Sequence, residues 1–173
     1  MATFPNISFK PVLSGLVLYF AVIAFPAETA AKQQPTSNAW QQERAALVVQ
    51  TCATLAPSFD TLEAQALRVG FKKLPDNRLL HEPEIVVSTN SSPNGCTCLI
   101  SFGTDVPDKA VVAVGQAMTN ALGTRLKTHP NKGIFATIGS NPATRVVVSH
   151  KKIEGLNWII VSFQSPLSCQ HSN

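Results

Sequence analysis

No glycine-rich phosphate loop, G-x-S-x-G elbow, H-E-x-x-H helix or Walker lysine occurs in the 173 residues, so the standard signatures of nucleotide, acyl-transfer and zinc-hydrolase chemistry are missing. A C-x-x-C pair is missing too, which removes the thioredoxin-like pattern, and the C-x-C of Cys96 and Cys98 has no second pair to complete a zinc ribbon. Of the histidines His81, His129, His150 and His171, only His171 stands close to another ligand type, two residues after Cys169. Aromatics are scarce beside the lysines, where only Phe71 and Phe135 occur. A single-strand nucleic-acid binder would interleave base-stacking rings with its cations, so no nucleic-acid partner is expected. Neither a repeat nor a linker divides the chain. No cofactor or metal is implied by these residues.

What is present begins at the N-terminus. Lys10 precedes an apolar run from Val12 to Phe25, and small residues follow through Ala27, Thr29, Ala30 and Ala31. That order is the order of a secretory signal peptide, and the run is shorter than the roughly 20 apolar residues that span a bilayer. Cleavage after Ala31 sets Thr29 and Ala31 in the two small-residue positions. The expected organisation is therefore a signal peptide over residues 1–31 and a single domain over 32–173, with no stable membrane span once the leader is removed. The first cysteine, Cys52, is too distant from the apolar run to accept a lipid. An uncleaved N-terminal helix, making the chain an anchored structural envelope protein, is the alternative.

Export gives the four cysteines their meaning. Cys52, Cys96, Cys98 and Cys169 form an even set in a small exported chain, which points to structural disulfides in a periplasmic or secreted protein. In the run GCTCLISF, Cys96, Cys98, Ile100 and Phe102 alternate onto one face of a strand. Cys96 and Cys98 cannot join each other in a regular strand, so one of them is expected to reach Cys52 and the other Cys169.

Periodicity then outlines an α+β domain. From Trp40 to Leu55, Ala45, Val48, Val49, Cys52 and Leu55 share a helical stripe, with Asn38 as a cap. A second short helix follows Asp60 and stops at Gly70. Arg78 to Thr89 reads as one strand with Pro83 near an edge, and NSSPNG turns it into the cysteine strand. Asp105 and Pro107 open a long helix whose stripe is Val111, Val114, Gly115, Met118, Leu122 and Leu126. Gly115 in its middle suggests a close approach to the sheet. ATRVVVSHK and LNWIIVSFQ close the chain as a second hairpin. The expected architecture is two N-terminal helices, a β-hairpin, a long helix and a β-hairpin, giving a four-stranded antiparallel sheet with helices packed on one face. Trp158 and Phe163 are both expected in the core.

Lys72, Lys73 and Arg78, then Lys127 and Lys132, then Lys151 and Lys152 fall in three loop regions. Gathered at one end of the sheet, they would form a basic rim for an acidic protein or an anionic envelope component. Glu82 and Glu84 flank Pro83 and read as a solvated edge, and Asn90 with Ser92 matches a glycosylation acceptor that has meaning only in a eukaryotic secretory route. The expectation for function is a small exported binding or interaction domain, inhibitor-like or accessory to an acidic partner in the cell envelope. A small extracytoplasmic enzyme is the competing class, either a thiol oxidoreductase at Cys96 and Cys98 or a hydrolase at His150.

Overall fold

The computed structural model describes residues 37–81, 84–129 and 135–169. The expected leader 1–31 and its cleavage site, Asn6, Glu82, Pro83, Lys132 and His171 lie outside them.

The first helix, α1 (Asn38–Val48), is capped by Ser37, whose hydroxyl oxygen accepts from the Trp40 N–H at 3.1 Å. The cap is thus Ser37, one residue earlier than Asn38. Beyond Val48 the helix widens into a π-helical turn over Val49–Ala53. A π turn takes up more residues per revolution than an α turn, so it re-aims the side chains that follow. Cys52 in that turn faces the sheet and is fully buried. Helix α2 (Leu62–Arg68) is entered through Thr61 rather than Asp60 and ends before Gly70, which takes the left-handed conformation at φ +97°.

The long helix α3 (Pro107–Leu122) has Pro at its first position, where a missing N–H does little harm, and Val106 rather than Asp105 at its N-cap. Its stripe of Val114, Met118 and Leu122 is buried. Gly115 makes room for Phe135, because a Cβ at residue 115 would lie 3.0 Å from the ring's Cζ.

The sheet is antiparallel throughout but has eight strands, not four, in the order β1-β2-β3-β4-β8-β7-β6-β5. The strands are β1 (Lys72–Lys73), β2 (Leu79–His81), β3 (Ile85–Ser92), β4 (Gly95–Gly103), β5 (Leu126–Thr128), β6 (Ala136–Ile138), β7 (Thr144–Ile153) and β8 (Leu156–Ser165). The run from Arg78 to Thr89, expected as one strand, is two: β2 pairs back on β3 with Leu79 opposite Val87. The element order departs from expectation accordingly, with two short strands before the first long hairpin and two more after α3.

Two four-stranded meanders, β1 to β4 and β5 to β8, meet where β4 pairs with β8. On one face of this seam Cys96, Cys98, Ile100 and Phe102 of β4 lie beside Ser165, Phe163, Val161 and Ile159 of β8, all buried. The helices cover that face: α1 packs along α3, α3 lies over β8, and α2 lies over β1 and β2. Each large side chain sealed there contributes about 1.5–3 kcal/mol.

Both bridges run to β4. Cys52 joins Cys98 with a Cα–Cα distance of 5.9 Å, and Cys96 joins Cys169 at 4.7 Å. Each cysteine of the C-x-C therefore reaches a distant partner, as the strand alternation requires. Among the described residues no helix is long and apolar enough to cross a membrane.

Candidate functional site

The sheet has a second face, and the described helices leave it open. Cross-strand register sets Leu80, Val86, Ser101, Ile160 and Ser149 in one row of this face. The next row holds Ser88, Leu99, Ser162 and Val147. Val86, Leu99, Ile160 and Val147 are half-buried, although nothing from the described helices covers them. From β3 to β7, apolar and hydroxyl side chains thus alternate along both rows. Such a surface can exclude water from an apolar ligand while offering it hydrogen bonds.

Trp158 belongs to this open face, not to the core. It stands opposite Gly103 on β4 and Lys151 on β7, and it is half-buried, whereas Phe163 is sealed on the helix side as expected. Strand parity separates them: 158 and 163 are an odd number of residues apart, so they point to opposite faces.

The β7–β8 hairpin runs beyond the end of β4, and its tip adds Ile153 and Leu156 to the open side, 47% and 57% exposed. With Trp158, Leu99 and Val86 they line a groove of about 380 Å³. Two charged side chains also line it, Arg78 at the β2 margin and Glu154 at the hairpin tip. Arg78 Nε donates to Asp76 Oδ2 at 2.7 Å. Hydrogen bonds from Arg78 hold the Asp76 carboxyl below the usual aspartate range. The terminal nitrogens of Arg78 have no hydrogen-bond partner among the described residues, and neither does the Glu154 carboxylate.

The basic residues do not gather at one end. Lys72 and Lys73 form edge strand β1, while Lys127 lies in β5 at the opposite edge, seven strand spacings or about 33 Å away along the sheet. Lys73 is paired with Glu63 at 2.9 Å. Lys151 and Lys152 lie near the end of β7 and point to opposite faces. Register does put Lys127 in line with Thr137 and Arg145, and so on the open face with Lys151. Lys132 lies outside the described residues. Arg145 and Trp158 were the residues of this face that sequence reasoning missed; strand order places Arg145 there, and parity with Phe163 is the signal for Trp158.

All four cysteines are bridged, so no free thiol is present. The described histidines, His81, His129 and His150, stand on three different strands or strand ends. His150 is exposed with Nε2 3.0 Å from Asn157 Oδ1, and His129 Nε2 lies 3.2 Å from Thr137 Oγ1. His81 packs against the Phe71 ring with centroids 5.1 Å apart. Among the described residues no group of three or more His, Cys, Asp or Glu side chains could hold a metal ion.

Fold and site together describe a disulfide-braced α+β domain with one sheet face covered by helices and one that no described helix covers. No family model, no curated protein and no solved structure matches the chain. Function is therefore argued from the chemistry of the face alone.

Proposed function

We propose that the protein is an exported binding domain, periplasmic or secreted, and that the open face of its sheet is the recognition surface. The observation that carries this reading is the uncovered checkerboard of apolar and hydroxyl side chains on β3, β4, β8 and β7. A sheet face without a function is commonly polar, because apolar groups left against water forgo about 25 cal/mol per Å² of burial. Two disulfides in a chain of this size fit an oxidising compartment outside the cytoplasm. They tie β4 to the π-helical turn and to the C-terminal segment, which limits the freedom lost when a partner docks.

The partner is an acidic protein or an anionic envelope component. Lys127, Arg145 and Lys151 support this, since all three lie on the open face by register. The test uses poly-L-glutamate as a model acidic chain, with backbone amide resonances followed at low and at high salt. Shifts at Thr97, Arg145 and Ser162 that vanish as ionic strength rises are the expected result. Shifts confined to α1 and α3, or none at low salt, overturn the reading.

A further inference from the structure

The open face is patterned so that a second copy of itself fits it. We infer that two copies pair open face to open face, about a two-fold axis that runs along the strands at the β4–β8 seam. This goes beyond the binding role proposed above: a second copy and an acidic partner compete for one face.

The relief of the face is self-complementary. An axis along the seam lays β4 over β8 of the second copy and β3 over its β7, row against row. Val86 and Ile160 then meet Ser149 and Ser101 of the second copy, while Leu99 and Val147 meet its Ser162 and Ser88. Each branched side chain faces a small one, which lets the two sheets interdigitate.

Trp158 has the roomiest counterpart. The same axis sets it over Gly103 of the second copy, because residues 158 and 103 share a row on β8 and β4. Beyond its chain neighbours, a Cβ at residue 103 would meet only the Asn157 carbonyl oxygen, at 4.0 Å, so the chain's own Trp158 ring leaves that space open. The groove of about 380 Å³ lined by Val86, Leu99 and Ser101 adjoins it. The second copy's hairpin tip arrives at this end, over β3 and β4, and brings its exposed Ile153 and Leu156 toward the groove.

Charge selects this axis. Glu84 stands beside Gly103 at the start of β3, since the Gly103 N–H donates to the Glu84 carbonyl at 3.4 Å, and it shares the open face with Val86. Lys151, in the row of Trp158, therefore meets Glu84 of the second copy. At the other end Arg145 meets Asn90, and Thr97 meets Gln164. A two-fold across the strands would match the serines equally well but would set Arg145 against Lys151, cation on cation. Twisted sheets cross at about 30°, which shifts the β3 and β7 columns by about 4 Å, a gap that lysine and glutamate side chains span. The four central strands give a footprint of roughly 500 Å² per copy, so two copies reach the roughly 1,000 Å² that a specific interface needs.

Sedimentation equilibrium on the purified, oxidised protein tests this, and a monomer–dimer equilibrium is the expected result. Gly103→Leu should weaken the dimer about tenfold or more by filling the space for Trp158, with the monomer's amide spectrum otherwise retained. Trp158→Ala should weaken it comparably by removing the insert. Lys151→Glu should weaken it too, and adding Glu84→Lys should restore it. The two positions lie three strands apart within one chain, so only pairing between copies accounts for that rescue. A protein that stays monomeric at every concentration, or a dimer indifferent to Gly103→Leu or to the charge swap, overturns the inference. Failure here is separable from failure of the binding role: a monomer that still shows open-face shifts with poly-L-glutamate loses only the second copy, and a dimer without such shifts keeps only the second copy.

Discussion

Gly95 faces the Ser165 carbonyl so closely that a Cβ at residue 95 would come within 1.9 Å of its oxygen. The contact lies at the seam where β4 joins β8, with φ +136° at Gly95, so both space and backbone demand glycine. Gly95→Ala should therefore cost about 3 kcal/mol or more. Urea unfolding with an unchanged slope checks it. A loss under about 0.5 kcal/mol would mean that the seam is looser than this.

Each disulfide closes a long segment, with sequence separations of 46 and 73. In the chain-entropy account each is worth about 4 kcal/mol. Replacing Cys52 and Cys98 together by alanine should lower stability by that order, and replacing Cys96 and Cys169 should do likewise. Denatured but unreduced wild-type protein should react with no thiol reagent. One reactive thiol per chain would refute the pairing.

Asp76 is exposed, and its hydrogen bonds from Arg78 lower its pKa in the folded chain. The unfolded chain then takes up this proton at a higher pH than the folded one. The small stabilising contribution is complete above the ordinary aspartate range near ~3.9 and fades as pH falls through the folded value. Solvent screens the pair, so its effect on overall stability is slight. Carboxyl resonances followed by NMR should show an Asp76 midpoint below that range, moving up in Arg78→Ala. An unmoved midpoint would show that Arg78 is not the cause.

Ser37 supplies the cap of α1 through a single bond to the Trp40 N–H. Ser37→Ala should cost about 1 kcal/mol, read by thermal unfolding, while Asn38→Ala should be nearly neutral. The opposite ranking would return the cap to Asn38.

Much of the fold was legible because its signals are local. Alternation in GCTCLISF put Cys96 and Cys98 on the core face, and the helical stripe turned Cys52 inward, so direction alone sent one of the two to Cys52 and the other to Cys169, while the structure decides that Cys98 takes Cys52. Strands β1, β5 and β6 were invisible and β2 merged with β3, because two or three residues carry no period, and their pairing is set by the neighbour they dock on. The open face was missed for the same reason. A tryptophan in a strand is usually buried, which favours the core for Trp158, but its odd spacing from Phe163 sets the two on opposite faces. Whether lysines cluster depends on strand order, which no spacing in the chain encodes: Lys73 and Lys127 flank opposite edges, while Arg145 and Lys127 share a row.

The wiring of the two bridges has a mechanical consequence. Tension applied across the domain enters at Cys52, crosses sulfur to Cys98, runs back through Thr97 to Cys96 and leaves by sulfur at Cys169. Residues 53–95 and 99–168 hang from that short covalent path and bear none of the load. A chain connected in this way barely lengthens under traction, and a single proteolytic nick in either hanging segment frees no fragment.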